Sequence, residues 1–482
     1  MPPRPRALSA LSAVKLPFDM LTIGMLMLAN CAIAVLWPSL LTSVVAFALF
    51  IAMAWRLFLA SPSASVLLLP FVIIYVSSLA SMIAIEGGAY MKEVGRRGVA
   101  SPASAAFAVI VTLFVLTAAI VHLRQLQKQP FAKPLRYLVS PRPFVLAWGA
   151  VLIVGCVDLY LLMAGLRQGF PLLTGTDRFE FRRLSADILT LNFLNQKFLF
   201  SAFLGAGAAF AASQSQRLWH HLVFLGYLLL SFLFGDKFFI ILVAAAFYAM
   251  PLLIKEPKHI VLLVRRHFLS AVLVVGCVFA VTVYIYSGYG TLSPEATFLK
   301  VGDRVAGQGQ LWHVAVQDSS RLLAFDTGTV RLNLENLVAN PAADFAFHHR
   351  LAAFYFVERY APSAMYESFL NNGGMVTPTL VFEAYALVTF GYLGLLAAVI
   401  TAGVLAGLAF TWLARALMSG NPFNALLPAY VCLQFMSLMS QATLYSVIGL
   451  SAFKAYGAFL VLQLVVATVV KPPRAMQQGA VA

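Results

Sequence analysis

Apolar residues run almost unbroken for about twenty positions at a time along most of the chain, the length a helix needs to cross a bilayer. Polar positions fall between these runs and do not alternate within them. Continuous runs of this kind are helices; barrel strands would alternate. The pattern predicts spans over 19–37, 39–55, 64–86, 101–123, 144–165, 196–213, 218–235, 238–254, 268–287, 391–413, 423–446 and 450–470. The fold expected is an all-α polytopic integral membrane protein of about twelve transmembrane helices. A large extracytoplasmic loop is expected in its second half.

Composition agrees. The chain is 61% hydrophobic and only 11% charged, whereas a soluble domain needs about a quarter of its residues charged. The N-terminal stretch MPPRPRALSALSAVKLPFDM is basic and shows no small-residue cleavage site, so the first span is expected to be retained. Cys31, Cys156, Cys277 and Cys432 all lie in apolar runs, without zinc spacing. No metal or cofactor is expected.

Charge sets the orientation. Residues 122–144 hold five Lys/Arg and no acid, and residues 255–268 hold four against one acid. Both read as cytoplasmic, which places the N-terminus inside as well. The net charge of +15 then reports basic cytoplasmic loops and not nucleic-acid binding. Two long segments fall outside: 166–195 and 288–375. The expected organisation is a first block, 1–287, of about nine helices; the external loop 288–375; and a last block, 376–482. That block opens on an apolar stretch too long for one span and too short for two. It is expected to hold a non-crossing half-helix, 376–390, bent at Gly391 and Gly394, before the last three spans.

Polar chemistry collects outside. GFPLLTGTDRFEFRR (169–183) carries Arg178, Arg182 and Arg183; the external turn GDK carries Lys237. The large loop holds GDRVAGQGQLWH (302–313), with Arg304, Gln308, Gln310, Trp312 and His313. Arginine matches phosphate because its planar fork donates two hydrogen bonds at once, and neighbouring glycines allow close backbone approach. Interfacial arginines commonly do no more than pair with loop acids or headgroups, and that reading stands beside the functional one. At membrane depth, Glu383 and Asp158 are costly carboxylates and therefore site candidates; a hydrogen-bonded structural role is the alternative. Gln434, Ser437 and Gln441 recur at helical spacing, either lining a cavity or bonding helix to helix.

These motifs together resemble the Wzy-type polymerases of bacterial O-antigen and capsule synthesis, GT-C-like membrane glycosyltransferases related to the O-antigen ligases. The likeness rests on GFPLLTGTDRFEFRR before a span, GDK between spans, DRVAGQGQLW in the large loop, and GGMVTPTLVFEAY…FGYLG after it. It extends over nearly the whole chain. The resemblance implies an enzyme of the bacterial inner membrane with its active site facing the periplasm. Its substrate would be an oligosaccharide repeat unit on undecaprenyl pyrophosphate. The growing chain would pass to the non-reducing end of a new lipid-linked unit, without metal, with lipid pyrophosphate leaving.

It further implies roles. Arg304 would be the first pyrophosphate contact, with Arg178, Arg182, Arg183 and Lys237 adding charge. Gln308, Gln310 and Trp312 would meet sugar. Glu383 would be the base, with His313 as alternate. A separate co-polymerase usually sets chain length, so such a partner is implied, besides the bilayer itself. A ligase is the nearest alternative, but such enzymes carry a Pro-His-Asn-like element where this chain reads VTPTLVFEA. A lipid-linked sugar flippase or transporter is the alternative from another class; transporters often show internal repeats, and this chain shows none.

Overall fold

The computed structural model describes residues 18–128, 143–176, 181–182, 185–236, 238–255, 276, 280, 283, 293–297, 302, 307–319, 321–338, 352–371, 380–418 and 421–469. Helices dominate them: α1 (Phe18–Leu36), α2 (Leu40–Ala60), α3 (Pro62–Glu86), α4 (Ala103–Lys128), α5 (Pro143–Gln168), α6 (Ile188–Asn195), α7 (Lys197–Ala209), α8 (Gln214–Leu233) and α9 (Phe238–Lys255). There follow α10 (Gln310–Asp318), α11 (Thr327–Val338), α12 (Ala352–Tyr360), α13 (Ser363–Asn371), α14 (Phe382–Met418), α15 (Leu426–Gln441) and α16 (Leu450–Val469). A small antiparallel hairpin, β1 (Tyr90–Met91) and β2 (Arg96–Arg97), joins α3 to α4.

Among the described residues, eight helices are long and apolar enough to cross a membrane. They coincide with the first five expected spans and the last three. The other four expected spans fare differently. Residues 196–213 yield only the 13 residues of α7. Residues 218–233 of the next lie in α8, whose first turns carry Arg217, His220 and His221. Residues 238–254 lie in α9, apolar but short, and 268–287 falls almost entirely outside the described residues. The architecture is that of an all-α polytopic membrane protein.

The chain divides into two compact units, each assembled from separated stretches. The first takes 1–130, 283–408 and 434–454. Its frame is α1–α4. A capping box at Ser39 starts α2, with side-chain and backbone groups of Ser39 and Thr42 exchanging hydrogen bonds. Asn30 donates to Thr42 O at 2.9 Å, so the turned chain ends are tied. The apolar outer faces of α1 and α2, among them Leu21, Leu28, Ile33 and Leu41, are exposed, as lipid-facing helices require. The core is aromatic: Tyr75 meets Phe50, Phe107 and Phe114 edge-on. Gly403 lets α14 lie against α4, for a Cβ there would stand 2.9 Å from Thr117.

The second unit takes 131–282, 409–433 and 455–482. Here α7 is its buried centre, contacted by α5, α8, α9 and the 3-10 turn 422–425. Small residues explain the closeness. A side chain at Gly205 would run into the Tyr248 carbonyl, and one at Gly207 into His220.

Candidate functional site

In the first unit, one face of α3 gathers the polar residues. Tyr75, Ser78 and Glu86, with the apolar Met82 between the last two, recur at helical spacing along it. Glu383, one residue into α14, lies at the Tyr75 end. Its carboxylate is fully buried, the Tyr75 hydroxyl faces it, and among the described residues neither carboxylate oxygen has a hydrogen-bond partner of ordinary geometry. The Tyr75 hydroxyl and the Ser78 hydroxyl, one turn along, are likewise buried without such partners. Each orphaned buried polar group costs about 1–3 kcal/mol, more when charged, so this grouping is costly unless another polar group completes it.

Why α14 places Glu383 there is local. The helix is broken at Gly391, whose backbone is left-handed (φ 74°, ψ −175°). The loop 321–326 is stitched across the break: Ala324 N–H donates to Phe390 O at 3.1 Å, Asp326 N–H to Thr389 O at 3.0 Å, and Leu393 N–H to Leu322 O at 3.0 Å. A Cβ on Gly391 would come within 2.9 Å of three backbone atoms of that loop. Residues 382–390 thus form a short limb set off from the long one. The expected half-helix stretch 376–390 is described only from residue 380 onward.

The other end of the α3 face receives α10. Gly309 N–H donates to Ser81 Oγ at 2.8 Å, and the close fit explains the glycine, since a Cβ would sit 2.8 Å from Met82. Beyond it, hydrogen bonds run in one direction. Arg96 donates to Gln317 Oε1 (3.3 Å), and Gln317 Nε2 lies 3.0 Å from His313 Nε2. His313 Nδ1 lies 3.2 Å from Ser101 Oγ, and Ser101 donates to Glu86 Oε1 at 3.0 Å. The serine has one proton and gives it to the carboxylate, so His313 donates through Nδ1 and accepts at Nε2. That is the neutral ring. Burial, then the charge of Arg96, push the His313 pKa down to about 4, which agrees. Glu86 also accepts from Ser43 Oγ and from Ser104 N–H.

The sequence-level candidates distribute as follows. Arg304, Arg178, Arg183 and Lys237 lie outside the described residues. Gln308 is half-buried in the turn before α10. Gln310 is buried; its Oε1 accepts from Glu93 N–H at 2.7 Å and its Nε2 has no partner among the described residues. Trp312 is 1% exposed, its ring tilted on Phe107 at 5.5 Å and its Nε1 donating to Ala103 O at 2.9 Å. A sugar-stacking role does not fit this placement: the indole is a core residue that pins α10 to α4. His313 has both ring nitrogens engaged, so a role as base does not fit either while this network stands. Glu86 and Glu383 attach to α3 eleven residues apart, about 16 Å along the axis. His313 and Glu383 therefore serve different places.

In the second unit, Arg182 donates to Asp236 Oδ1 at 3.2 Å, and Lys197 donates to Asp236 Oδ2. Asp236 is fully buried and belongs to the GDK turn between α8 and α9. Arg182, expected as a phosphate contact, has its terminal nitrogen engaged in part by this carboxylate. Asp236 and Lys197 were missed, for a lone acid and lysine signal nothing until folding joins them. Asp158 packs on Gly226, with Oδ1 lacking a partner among the described residues. In the first unit, Ser437 bonds Thr443 at 2.9 Å, and Ser446 donates to Gln434 O, so that part of the polar stripe ties α15 to the turn after it.

Buried carboxylate, broken helix and the 321–326 loop docked across the break define a polytopic membrane protein with an internal polar site. A model for a family of unknown function (DUF6418) matches residues 348–455, the stretch that includes Glu383 and the Gly391 break. Comparison with curated proteins and with solved structures gives no match.

Proposed function

We propose that the protein is a membrane glycosyltransferase that polymerises lipid-linked oligosaccharide repeat units, as the resemblance to the Wzy-type polymerases implies. The observation that carries the reading is Glu383: a carboxylate 0% exposed, faced by the Tyr75 hydroxyl and without a hydrogen bond of ordinary geometry among the described residues, beside a broken helix and the large loop. A carboxylate left this way is fitted to take a proton.

In the proposed reaction, a hydroxyl oxygen of the incoming unit bonds to the anomeric carbon of the growing chain. The bond from that carbon to the phosphate oxygen breaks, and undecaprenyl pyrophosphate leaves with the electron pair. Glu383 takes the hydroxyl proton. The external cation Arg304, in the same unit as Glu383, offsets the charge that builds on the leaving group, the larger part of such accelerations. Placement in the inner membrane, with transfer on the periplasmic side, belongs to the same proposal.

The test is deletion of the gene in its native host, with the surface polysaccharide run on a gel. Collapse of the ladder to core bearing a single repeat unit supports polymerisation. Loss of all surface chains, with long polymer held on the lipid carrier, points to the ligase instead. An unchanged ladder overturns both and leaves the transporter reading.

A further inference from the structure

The hairpin between α3 and α4 carries three exposed cations, Lys92, Arg96 and Arg97, within six residues, against the single acid Glu93. Its backbone is fixed from beneath. Met91 and Val94 are buried, and Gly95 closes the turn at φ 74°, where a Cβ would press on Pro362 and Met365 at 3.0 Å. Directly opposed residues of an antiparallel pair share a face, so the register Tyr90↔Arg97 sets an exposed tyrosine beside an exposed arginine. The hairpin abuts the start of α10. Glu93 N–H holds Gln310 Oε1, Arg96 reaches Gln317, and at this junction the buried Gln310 Nε2 has no partner among the described residues.

Charge counting makes the cluster conspicuous. In the proposed orientation the short loop 87–102 is external, and short external loops are depleted in Lys and Arg. Three in one such loop, set on a rigid turn and committed among the described residues to the single side-chain hydrogen bond from Arg96 to Gln317, require a local reason. Arginine and lysine on a fixed backbone are what recognition of a phosphate ester uses.

We propose that the β1–β2 hairpin, backed by α10, is a phosphate-ester binding site, with Lys92 and Arg97 as the contacts and Arg96 steadied by Gln317. The proposal rests on the polymerase reading for its orientation and for one of its two sources of phosphate. In that reading the anion is the pyrophosphate of the lipid-linked substrate; the other source is a phospholipid headgroup.

The test uses the full-length protein in phosphatidylcholine nanodiscs, titrated with inorganic pyrophosphate by calorimetry. K92A/R97A is expected to bind at least about tenfold more weakly than wild type, a loss of about 1.4 kcal/mol, while K92R/R97K stays near wild type. A second arm measures anionic phospholipid retained on the purified protein. Loss of pyrophosphate affinity identifies the substrate as the source; loss of retained anionic lipid alone identifies the headgroup. If the double alanine variant changes neither, the site is overturned. E383Q separates the two ideas, because it is expected to leave pyrophosphate affinity unchanged. A site that binds in a protein whose E383Q variant still polymerises survives the failure of Glu383 as base; an inert hairpin beside an inactive E383Q variant fails alone.

Discussion

Glu383 is where a single atom matters most. Glu383→Gln keeps the volume of the side chain and removes its capacity to take a proton. Chain extension is expected to fall by about 10²–10⁴-fold with protein abundance unchanged, read as ladder intensity after complementation of the deletion. A ladder of normal length would assign Glu383 a structural role. Trp312 is the opposite kind of residue. Trp312→Ala is expected to cost about 3–5 kcal/mol of stability, and Trp312→Phe about 1 kcal/mol for the lost bond to Ala103 O, both seen as lowered thermal midpoints in detergent. His313 adds a pH dependence. Its pKa in the folded chain is about 4, below the ordinary value of about 6.5, so the unfolded chain binds the proton first. The contribution is complete above about pH 6.5 and is lost as pH falls toward 4. Amide exchange in α10, corrected for intrinsic rate, is therefore expected to be faster at pH 5 than at pH 7. His313→Asn, which cannot titrate, removes that difference.

Among the elements, α14 depends on a glycine. Gly391→Ala places a side chain in the left-handed region and against the 321–326 loop. Backbone strain of this kind costs about 1–3 kcal/mol, and the clash adds to it. Proteolysis within 321–326 is expected to accelerate in the variant, and an unchanged rate would show that the loop is held elsewhere. The start of α6 depends on Asp187, which caps Thr190 N–H at 2.7 Å and accepts from Tyr160 and Gln168. Burial raises its pKa, but these hydrogen bonds outweigh burial and hold it at about 2. Its contribution is thus present above about pH 4 and lost as pH falls toward 2. The long apolar helices were legible because lipid dictates both their length and their composition. The hairpin 90–97 was not: two-residue strands carry no period to read, and their pairing depends on Met91 and Val94 finding a core.

For the whole molecule, orientation is the property to measure. In a cysteine-free background, single cysteines at Gly88 and Thr176 are expected to react with an impermeant maleimide applied outside. One at Ser213, in the turn before α8, should react only after permeabilisation. Labelling in the reverse sense would invert the site and remove the periplasmic reading with it. The two compact units draw on separated stretches of chain, and no linear feature marks where one unit yields to the other. Contacts between distant segments define them.

The sequence by itself determined the environment, the helical class and the sites of eight long helices, because a bilayer leaves a chain no other way to satisfy its backbone. It also singled out Glu383, since a carboxylate in an apolar run is costly wherever the run folds. Tertiary structure decided what each polar residue faces. It turned Trp312 inward, closed both nitrogens of His313, joined Arg182 and Lys197 on Asp236, and set three cations on a hairpin beside α10. Those outcomes depend on contacts between residues tens to hundreds of positions apart, and separation of that kind leaves no trace in local spacing.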